Sequence, residues 1–328
     1  FTNKDIGLKS STAIAHPNFA LIKYWGKSNV SGNIPAMSSL AITLDSMTSE
    51  TTVSFPNNLE QDTWMLNGME QSSLGQIQLP CEHLKKISQI EQPCLIESSN
   101  NFPTAAGLAS SASGIASLIT ALDNALGTKL SNRQMIEAAM LGSGSAARSL
   151  FSGFVHLEVV QDQLNCATIL AAEEWPLNVI VCVTSTKQKT ISSRQGMEIS
   201  RKTSPMYNDW VRNHQEDMEL ALHAIAAKNF EQLGKIAEQN CLKMHKVMKT
   251  SQPPIDYWNP ATHACVETVK DMQRKGMPVF FTIDAGPQVK IICEPDACKD
   301  VVSLMEKVPG VQSIIESSLG KGARIIHE

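Results

Sequence analysis

The chain has 328 residues, of which 42% are hydrophobic and 18% charged, so it can bury a large core and divide into two domains. Its formal net charge of -4 gives no overall attraction to nucleic acid or to an anionic membrane, and any cationic site must be local. No apolar run approaches the ~18 residues of a spanning helix, and the first residues, FTNKDIGLKSST, lack the apolar centre of a signal peptide, which predicts a cytoplasmic protein.

Strand signals dominate the first third of the chain. The segments STAIA, LAIT, ETTVSF, DTWML and CLIESS predict strands, and Asn67-Gly68 is the dipeptide of a tight hairpin turn. The small-residue segment GLASSASGIASLITALDNAL then predicts a helix that ends at Gly127. Because Ser131 begins the pattern of a capping box, a second helix should start there and end near residue 142.

The second half of the chain mixes helices and strands. FVHLEVV and LNVIVCVTS predict strands, and the pattern turns helical after Lys187. NDWVRNHQEDMELALHAIAA and NFEQLGKIAEQNCLKMHKVMK repeat apolar residues at intervals of three and four, and a helix, two strands, a helix and a strand follow. This order is typical of an α+β sandwich. We predict a domain boundary near residue 184, which gives domains 1–184 and 185–328.

The segment NNFPTAAGLASSASG could bind a phosphate. Its small residues let the backbone approach a ligand just before a helix begins, where unpaired N–H groups suit phosphate oxygens. Ser110 and Ser111 add hydroxyls for a phosphate or its magnesium ion. The segment is neither a Walker loop nor a dinucleotide fingerprint. Composition alone favours the alternative, an Ala/Ser helix packed closely against a sheet.

Two further segments combine hydroxyls with cations. GSGSAARSLFSGF brings Ser143, Ser145 and Arg148 within a few residues, which suits a carboxylate or phosphate clamp or else a turn with a solvated arginine. KQKTISSRQGM repeats that chemistry between Lys187 and Arg194. A single basic run is usually a solvated surface, but separate clusters in an acidic chain indicate a substrate with more than one anionic group.

A lysine pair near the N-terminus and an aspartate near the C-terminus complete the candidates. KYWGK places Lys23 and Lys27 around two aromatic rings, as a surface patch, a nucleic-acid contact or the wall of an anion pocket would. The absence of a basic face argues against nucleic acid. Asp284 ends the strand FTID before a Gly-Pro turn, where it could be a turn residue or an acid at the rim of a cleft.

AHPNFALIKYWGK, NFPTAAGLASSASG, GSGSAARS, SSRQGM and IDAGP occur in this order over nearly the whole chain. Together they resemble the diphosphomevalonate decarboxylase family of the GHMP kinase superfamily. The resemblance implies a two-domain α+β GHMP kinase fold, with an N-terminal domain like ribosomal protein S5 domain 2, a ferredoxin-like C-terminal domain and an active site in the cleft between them. It also implies a homodimer.

The activity that the resemblance implies is ATP-dependent. With ATP and Mg²⁺, the 3-hydroxyl of mevalonate 5-diphosphate is phosphorylated, and loss of that phosphate and of carbon dioxide gives isopentenyl diphosphate. A mevalonate 3-kinase or a phosphomevalonate decarboxylase of the same superfamily is the alternative. Because both Lys23 and Asp284 are present, the sequence favours decarboxylation.

The resemblance also implies a role for each matching residue. Asp284 is expected beside the 3-hydroxyl, as a general base or as an orienting group, with Lys23 near it. Asn18 and Arg148 are expected at the substrate's carboxylate end. Tyr24 is expected to contact the substrate, and Tyr24 and Trp25 should shield the site from water. The other expected contacts are Ser143, Ser145, Ser193 and Arg194 with the substrate, and Gly107, Ser110, Ser111, Ser98 and Ser99 with ATP, with Ser111 also a magnesium ligand.

Overall fold

The computed structural model describes residues 8–28, 34–103, 107–161 and 163–327. Residues 104–106 of the predicted phosphate loop and the N-terminal residues 1–7 therefore lie outside the described part. The described strands, in chain order, are β1 (Ser11–Ala15), β2 (Asn18–Ile22), β3 (Ser39–Thr43), β4 (Ser49–Ser54), β5 (Thr63–Leu66), β6 (Met69–Glu70), β7 (Leu95–Asn100), β8 (Phe154–Val160), β9 (Gln163–Leu170), β10 (Asn178–Val183), β11 (Val279–Thr282), β12 (Val289–Cys293), β13 (Ser313–Ser318) and β14 (Arg324–His327).

The described part of the chain also contains ten α-helices. They are α1 (Gln78–Ser88), α2 (Ser110–Leu126), α3 (Asn132–Gly142), α4 (Ala146–Ser149), α5 (Ser193–Thr203), α6 (Tyr207–Arg212), α7 (His214–Ala226), α8 (Phe230–Lys249), α9 (Pro260–Arg274) and α10 (Cys298–Met305). None of these helices combines the length and apolarity needed to cross a membrane.

Three sheets organise the molecule. A six-stranded sheet has the order β14-β1-β4-β7-β5-β6, and a four-stranded sheet has the order β2-β3-β8-β9. Helix α2 packs on β1 and β4, and α1, α3 and α4 pack around α2. Its buried Ala, Ile and Leu side chains point to several sides of the helix, so it can pack against the sheet and the helices at once. The third sheet, β11-β12-β10-β13, packs against α8, α9 and α10. The start of α2 is thus fixed between sheet and helices.

Several local predictions are confirmed. Strands β5 and β6 form an antiparallel hairpin, in which Asn67 and Gly68 have φ values of 51° and 77°. Gly127 ends α2 in the left-handed conformation, with φ 64°. Ser131 caps α3 by accepting a hydrogen bond from the Gln134 backbone, as a capping box requires.

Other elements were missed. Helix α1 lies in a region read mostly as strands; it has no side-chain cap at its N-terminus and contains Pro80. Strands β2, β9 and β14 were not predicted. β14 has four residues and pairs with β1, so its formation depends on a partner distant in sequence. The helix predicted over NDWVRNHQEDMELALHAIAA divides into α6 and α7 at Asn213.

Each half of the chain contributes one strand to a sheet of the other half. β10 precedes the predicted boundary near residue 184 but pairs with β12 and β13. β14 returns in the opposite direction and joins the first sheet beside β1. The domain boundary itself stays a prediction.

The segment that carries the chain from β13 back to β14 fits tightly against the N-terminal half. Gly320 donates its N–H to the Thr43 carbonyl at 2.8 Å and accepts from the Gly153 N–H at 3.0 Å. A Cβ atom on Gly320 would collide with the backbone carbonyl of Leu44. Since backbone atoms cannot move aside cheaply, only glycine fits here.

We expect Gly320→Ala to lower the free energy of unfolding by about 1–3 kcal/mol, the usual cost of overpacking. Gly114→Ala is the matched control. A Cβ atom added to Gly114, inside α2, would meet no neighbouring side chain or strand within 4 Å, so alanine there should be neutral or stabilise by up to about 1 kcal/mol. Urea denaturation followed by circular dichroism measures both. Equal effects of the two substitutions would contradict the tight fit.

Candidate active site

A cavity of about 480 Å³ lies where the N-terminal sheets meet the third sheet. Every predicted site residue except Ser98 and Ser99 lines it, so the structure brings together side chains from β2 to the β11–β12 turn. Among the described lining residues, one is acidic, Asp284, and five are cationic: Lys23, Lys27, Arg148, Lys189 and Arg194. The cavity is therefore strongly positive within an acidic chain.

Asp284 is held by two lysines. It follows β11 and is 29% exposed, while Lys23, just after β2, is 2% exposed. The Lys23 ammonium lies 2.6 Å from Asp284 Oδ1 and also donates to the Ala20 carbonyl at 2.8 Å. Lys290, on β12, lies 3.4 Å from Asp284 Oδ2. Each carboxylate oxygen thus has its own cation.

This pairing fixes the charge of Asp284. Burial by itself would raise the pKa of the carboxyl, but the positive charges of Lys23 and Lys290, the Lys23 hydrogen bond and the more distant Arg148 outweigh it and hold the pKa well below its usual range. Burial lowers the pKa of the Lys290 ammonium, and the Asp284 charge opposes that effect. Asp284 is therefore a carboxylate that holds protons weakly.

Arg148 is buried, and no carboxylate of the described residues pairs with it. It is 4% exposed, on α4, and its charged group donates to Asn18 Oδ1 at 2.8 Å and to Ser39 Oγ at 2.7 Å. The Tyr24 ring centroid lies 5.8 Å from its guanidinium carbon. No salt bridge to Arg148 occurs within the residues that the structure describes. A buried cation with neutral partners is costly unless a ligand supplies the counter-charge.

Asn18 fixes the orientation of that arginine. Its amide donates to the Ser145 carbonyl at 3.0 Å and to Ser149 Oγ at 2.8 Å, which leaves its carbonyl oxygen facing Arg148. Ser149 in turn donates to the His16 carbonyl at 2.7 Å. Because both the N–H groups and the carbonyl oxygen of the Asn18 side chain are hydrogen-bonded, the Arg148 guanidinium is held in position without a ligand.

The start of α2 and the α3–α4 loop form one hydroxyl-rich wall. Gly107 has φ 82°, in the left-handed region that glycine tolerates, and α2 then begins at Ser110. Ser111 Oγ lies 3.5 Å from Ser143 Oγ, which lies 3.2 Å from Ser145 Oγ. The helix N-terminus adds a partial positive charge, so this wall suits phosphate oxygens.

The opposite rim of the cavity comes from the segment before α5. The Lys189 ammonium donates to Ser193 Oγ at 2.9 Å and to the Ala285 carbonyl at 2.8 Å, next to Asp284. Burial lowers the pKa of Lys189, and the Asp284 charge opposes this. Arg194 is exposed at the first turn of α5. This rim therefore adds two cations to the cavity.

The remaining predicted nucleotide contacts lie elsewhere. Ser98 and Ser99 are on β7, and Ser98 Oγ is within 3.0 Å of Thr51 Oγ1, on the α2 side of the sheet. Neither residue lines the cavity. Their contact with a nucleotide stays a prediction.

Sequence reasoning missed Lys290 and Ser39 and gave Trp25 too narrow a role. A lysine within the otherwise apolar strand VKIIC was the available signal for Lys290. Ser39 gave none, since a single serine before an apolar run forms no distinctive pattern. Trp25 lines the cavity, but its indole donates to Ser200 Oγ at 2.9 Å and its ring packs in a methionine-rich core, so it also joins the site to the helices.

Family models match both halves of the chain. Residues 15–168 match the diphosphomevalonate decarboxylase-like N-terminal domain, and residues 179–325 match the mevalonate 5-diphosphate decarboxylase C-terminal domain. The diphosphomevalonate decarboxylase of Candida albicans is 32% identical to this chain, and the similarity covers 95% of this chain and 97% of that protein.

Solved structures give the same result. The crystal structure of mevalonate diphosphate decarboxylase from Staphylococcus aureus has a TM-score of 0.91 at 36% identity and covers 97% of this chain and 98% of that one. The structure of MDDEF in complex with MVAPP, AMPPCP and magnesium has a TM-score of 0.90 at 35% identity, with 97% and 99% covered.

The fold and the cavity define a two-domain, mixed α/β enzyme of the GHMP kinase-like class, and the predicted fold class is confirmed. Within that class, the chain belongs to the diphosphomevalonate decarboxylase family. The family resemblance of the five sequence segments is thereby confirmed as well.

The depressed pKa of Asp284 predicts how stability depends on pH. A carboxyl whose folded pKa is lowered stabilises the fold above its unfolded pKa of about 4, and the contribution is lost as the pH falls toward the folded value. Asp284→Asn also leaves Lys23 and Lys290 without a counter-charge. We therefore expect the variant to be less stable than the wild type at pH 7.

The difference in stability should shrink as the pH is lowered from about 5 to about 3. Chemical denaturation at several pH values measures it. Asp271→Asn, which removes an exposed ion pair with Arg274 on α9, is the control and should change little at any pH. A stability difference for Asp284→Asn that stays constant over this range would contradict the buried ion cluster.

Proposed function

We propose that the protein catalyses the ATP-dependent decarboxylation of mevalonate 5-diphosphate to isopentenyl diphosphate, with release of ADP, phosphate and carbon dioxide. The observation that carries the proposal is the charge of the cavity: its described lining residues include five cationic side chains and one carboxylate, which is already paired. A triphosphate and a diphosphate that also bears a carboxylate would concentrate negative charge in one place. Fixed cations stabilise such a pair of ligands better than water does.

Arg148 and Asn18 would bind the substrate's carboxylate end. The guanidinium is buried, oriented by the Asn18 amide and without an acidic partner among the described residues, so a ligand carboxylate would complete its environment. Tyr24, beside Arg148, would close one side of the pocket. Ser143, Ser145, Ser193 and Arg194, on two walls of the same cavity, would bind the diphosphate.

The start of α2 would receive the nucleotide phosphates. Gly107, Ser110 and Ser111 line the cavity there, and a helix N-terminus favours anionic oxygens. The hydroxyl-rich wall of Ser111 and Ser143 supplies hard oxygen donors, which fit magnesium, and Ser111 would be its protein ligand. Magnesium bound with ATP would neutralise part of the triphosphate charge. On the family resemblance, we also propose that Ser98 and Ser99 contact the nucleotide.

We propose that Asp284 orients the 3-hydroxyl and does not remove its proton early. A carboxylate whose pKa is held low by two lysines is a weak base, and general base catalysis works best when the pKa lies near the working pH. Phosphoryl transfer through a loose transition state needs little activation of the attacking oxygen. Asp284 would only accept a hydrogen bond from the hydroxyl, and the proton would pass to an oxygen of the transferred phosphoryl group as the new O–P bond forms and the bond to ADP breaks.

The second step would use the same charges. When the new phosphate leaves C3 with the electrons of the C–O bond, positive character develops at C3. Breakage of the bond to the carboxylate carbon then supplies the electrons of the double bond. Lys23, placed beside Asp284 Oδ1, and the cations of the rim would stabilise the departing phosphate.

Two finer properties are also proposals, supported by the family resemblance. They are a cytoplasmic location and assembly as a homodimer. Light scattering of the purified protein tests the second, and a single species of monomer mass at micromolar concentration would contradict it.

The function is tested by an assay that measures ADP and carbon dioxide separately. With MgATP and mevalonate 5-diphosphate, we expect equal release of both products, and little of either from mevalonate or its monophosphate. ADP without carbon dioxide would identify a 3-kinase, and the monophosphate as the preferred substrate would identify a phosphomevalonate decarboxylase. Asp284→Ala is the control and should release neither product.

The carboxylate contact is tested by Arg148→Ala. Loss of a charge-assisted contact should lower kcat/KM for mevalonate 5-diphosphate by about 10- to 100-fold, through both kcat and KM. Arg133→Ala on α3 is the matched control, because Arg133 is 71% exposed and forms a surface ion pair with Glu137. Circular dichroism confirms that both variants fold. Wild-type kinetics for Arg148→Ala would remove this residue from the site.

A further inference from the structure

Lys290 is a buried cation for which the proposed mechanism has no direct use. It is the second residue of β12 and has a fully buried side chain, and it does not line the cavity among the residues described. Burial of an ammonium group is costly unless its donors and its charge are satisfied. The contacts of Lys290 therefore show how its charge and its N–H donors are satisfied.

Its ammonium group contacts three separate parts of the chain. It lies 3.4 Å from Asp284 Oδ2 and 3.3 Å from the carbonyl oxygen of Gly107, within hydrogen-bond distance of the latter. It also lies 4.5 Å from the ring centroid of Phe19 on β2, a cation–π distance. One lysine of the C-terminal half thus meets the phosphate loop and β2 of the N-terminal half.

The backbones of these parts also touch. A Cβ atom on Gly286, two residues after Asp284, would lie 3.3 Å from Gly107 Cα. The turn that carries Asp284 and the end of the phosphate loop are therefore packed directly, with Lys290 joined to both. A shift of either segment would change the distance of the other from this lysine.

We propose that Lys290 is a positioning residue that couples the phosphate loop to the Asp284 carboxylate. The inference rests on the proposed function, because it assigns ATP to the loop and the reacting hydroxyl to Asp284. Lys290 touches neither ligand and acts through these two groups.

The coupling has a geometric part. In a trans peptide the C=O and the following N–H point in opposite directions. The contact of the Gly107 carbonyl with Lys290 therefore directs the Leu108 N–H away from the lysine and fixes this peptide in one orientation. Preorganised backbone donors bind anions without an ordering cost on binding.

The coupling also has an electrostatic part. The charged and titratable groups that face Asp284 come from five elements: Lys23 after β2, Lys290 on β12, Arg148 on α4, Lys189 before α5, and Cys241 and His245 on α8. Burial lowers the pKa of His245 to about 3, so the imidazole is neutral near pH 7. Among these groups, Lys290 is the one beside Asp284 Oδ2. Its removal leaves the carboxylate with a higher proton affinity.

The test uses Lys290→Met and Lys290→Gln, made in parallel so that it does not depend on one variant folding. Ile292→Val is the control, since Ile292 is a buried residue two positions along the same strand. Two quantities are measured: the dissociation constant of a non-hydrolysable ATP analogue with magnesium, by calorimetry, and kcat/KM as a function of pH. Thermal unfolding confirms that each variant is folded.

We expect both lysine variants to bind the analogue about tenfold more weakly, since a hydrogen bond to a charged group is lost. The acidic limb of their pH profile should also move to higher pH, because protonation of Asp284 becomes easier. Ile292→Val should change neither quantity. A residue that served packing alone would lower thermal stability and leave the pH profile in place.

Two results would overturn the inference: an unchanged acidic limb, or an unchanged dissociation constant for the ATP analogue, in folded lysine variants. Failure of the proposed function is a different result. It would be seen in the wild type itself, as absence of turnover with mevalonate 5-diphosphate, before any variant is compared.

Discussion

The carboxylate of Asp284 lies between the ammonium groups of Lys23 and Lys290, and none of these three groups could be buried alone at low cost. Lys23 follows a strand of the N-terminal half, whereas the other two residues flank the turn between β11 and β12. The ion cluster therefore forms only when the two halves of the chain pack together. Because it is also the centre of the cavity, the interaction that joins the halves builds the site.

The same cluster leaves the rest of the cavity positive. The negative charge of Asp284 is already satisfied by two lysines, so it cannot neutralise Arg148 or Arg194. Arg148 instead has neutral partners, Asn18 and Ser39, which orient its guanidinium without reducing its charge. Burying Arg148 in this way costs folding free energy, and in the proposed function anionic ligands would supply the counter-charge.

How far the sequence predicts this arrangement differs between residues. Lys23 and Asp284 are 261 positions apart, yet both were expected in the site, because KYWGK and IDAGP belong to the set of segments that resembles the decarboxylase family. Lys290 stands in an apolar strand outside these segments, and its position beside Asp284 follows from the pairing of β11 with β12. Long-range pairing of this kind, like that of β14 with β1, is not encoded in local periodicity.

In the proposed mechanism, the low proton affinity of Asp284 would link the two chemical steps. If Asp284 took the hydroxyl proton and kept it, the carboxyl would become neutral and Lys23 and Lys290 would be left with uncompensated charge in a buried position. While it stays ionised, the lysines stay paired. The carboxylate can then first accept a hydrogen bond from the hydroxyl and later face the positive character that develops at C3. One fixed arrangement of charge would serve phosphorylation and the loss of phosphate with carbon dioxide, without a conformational change between them.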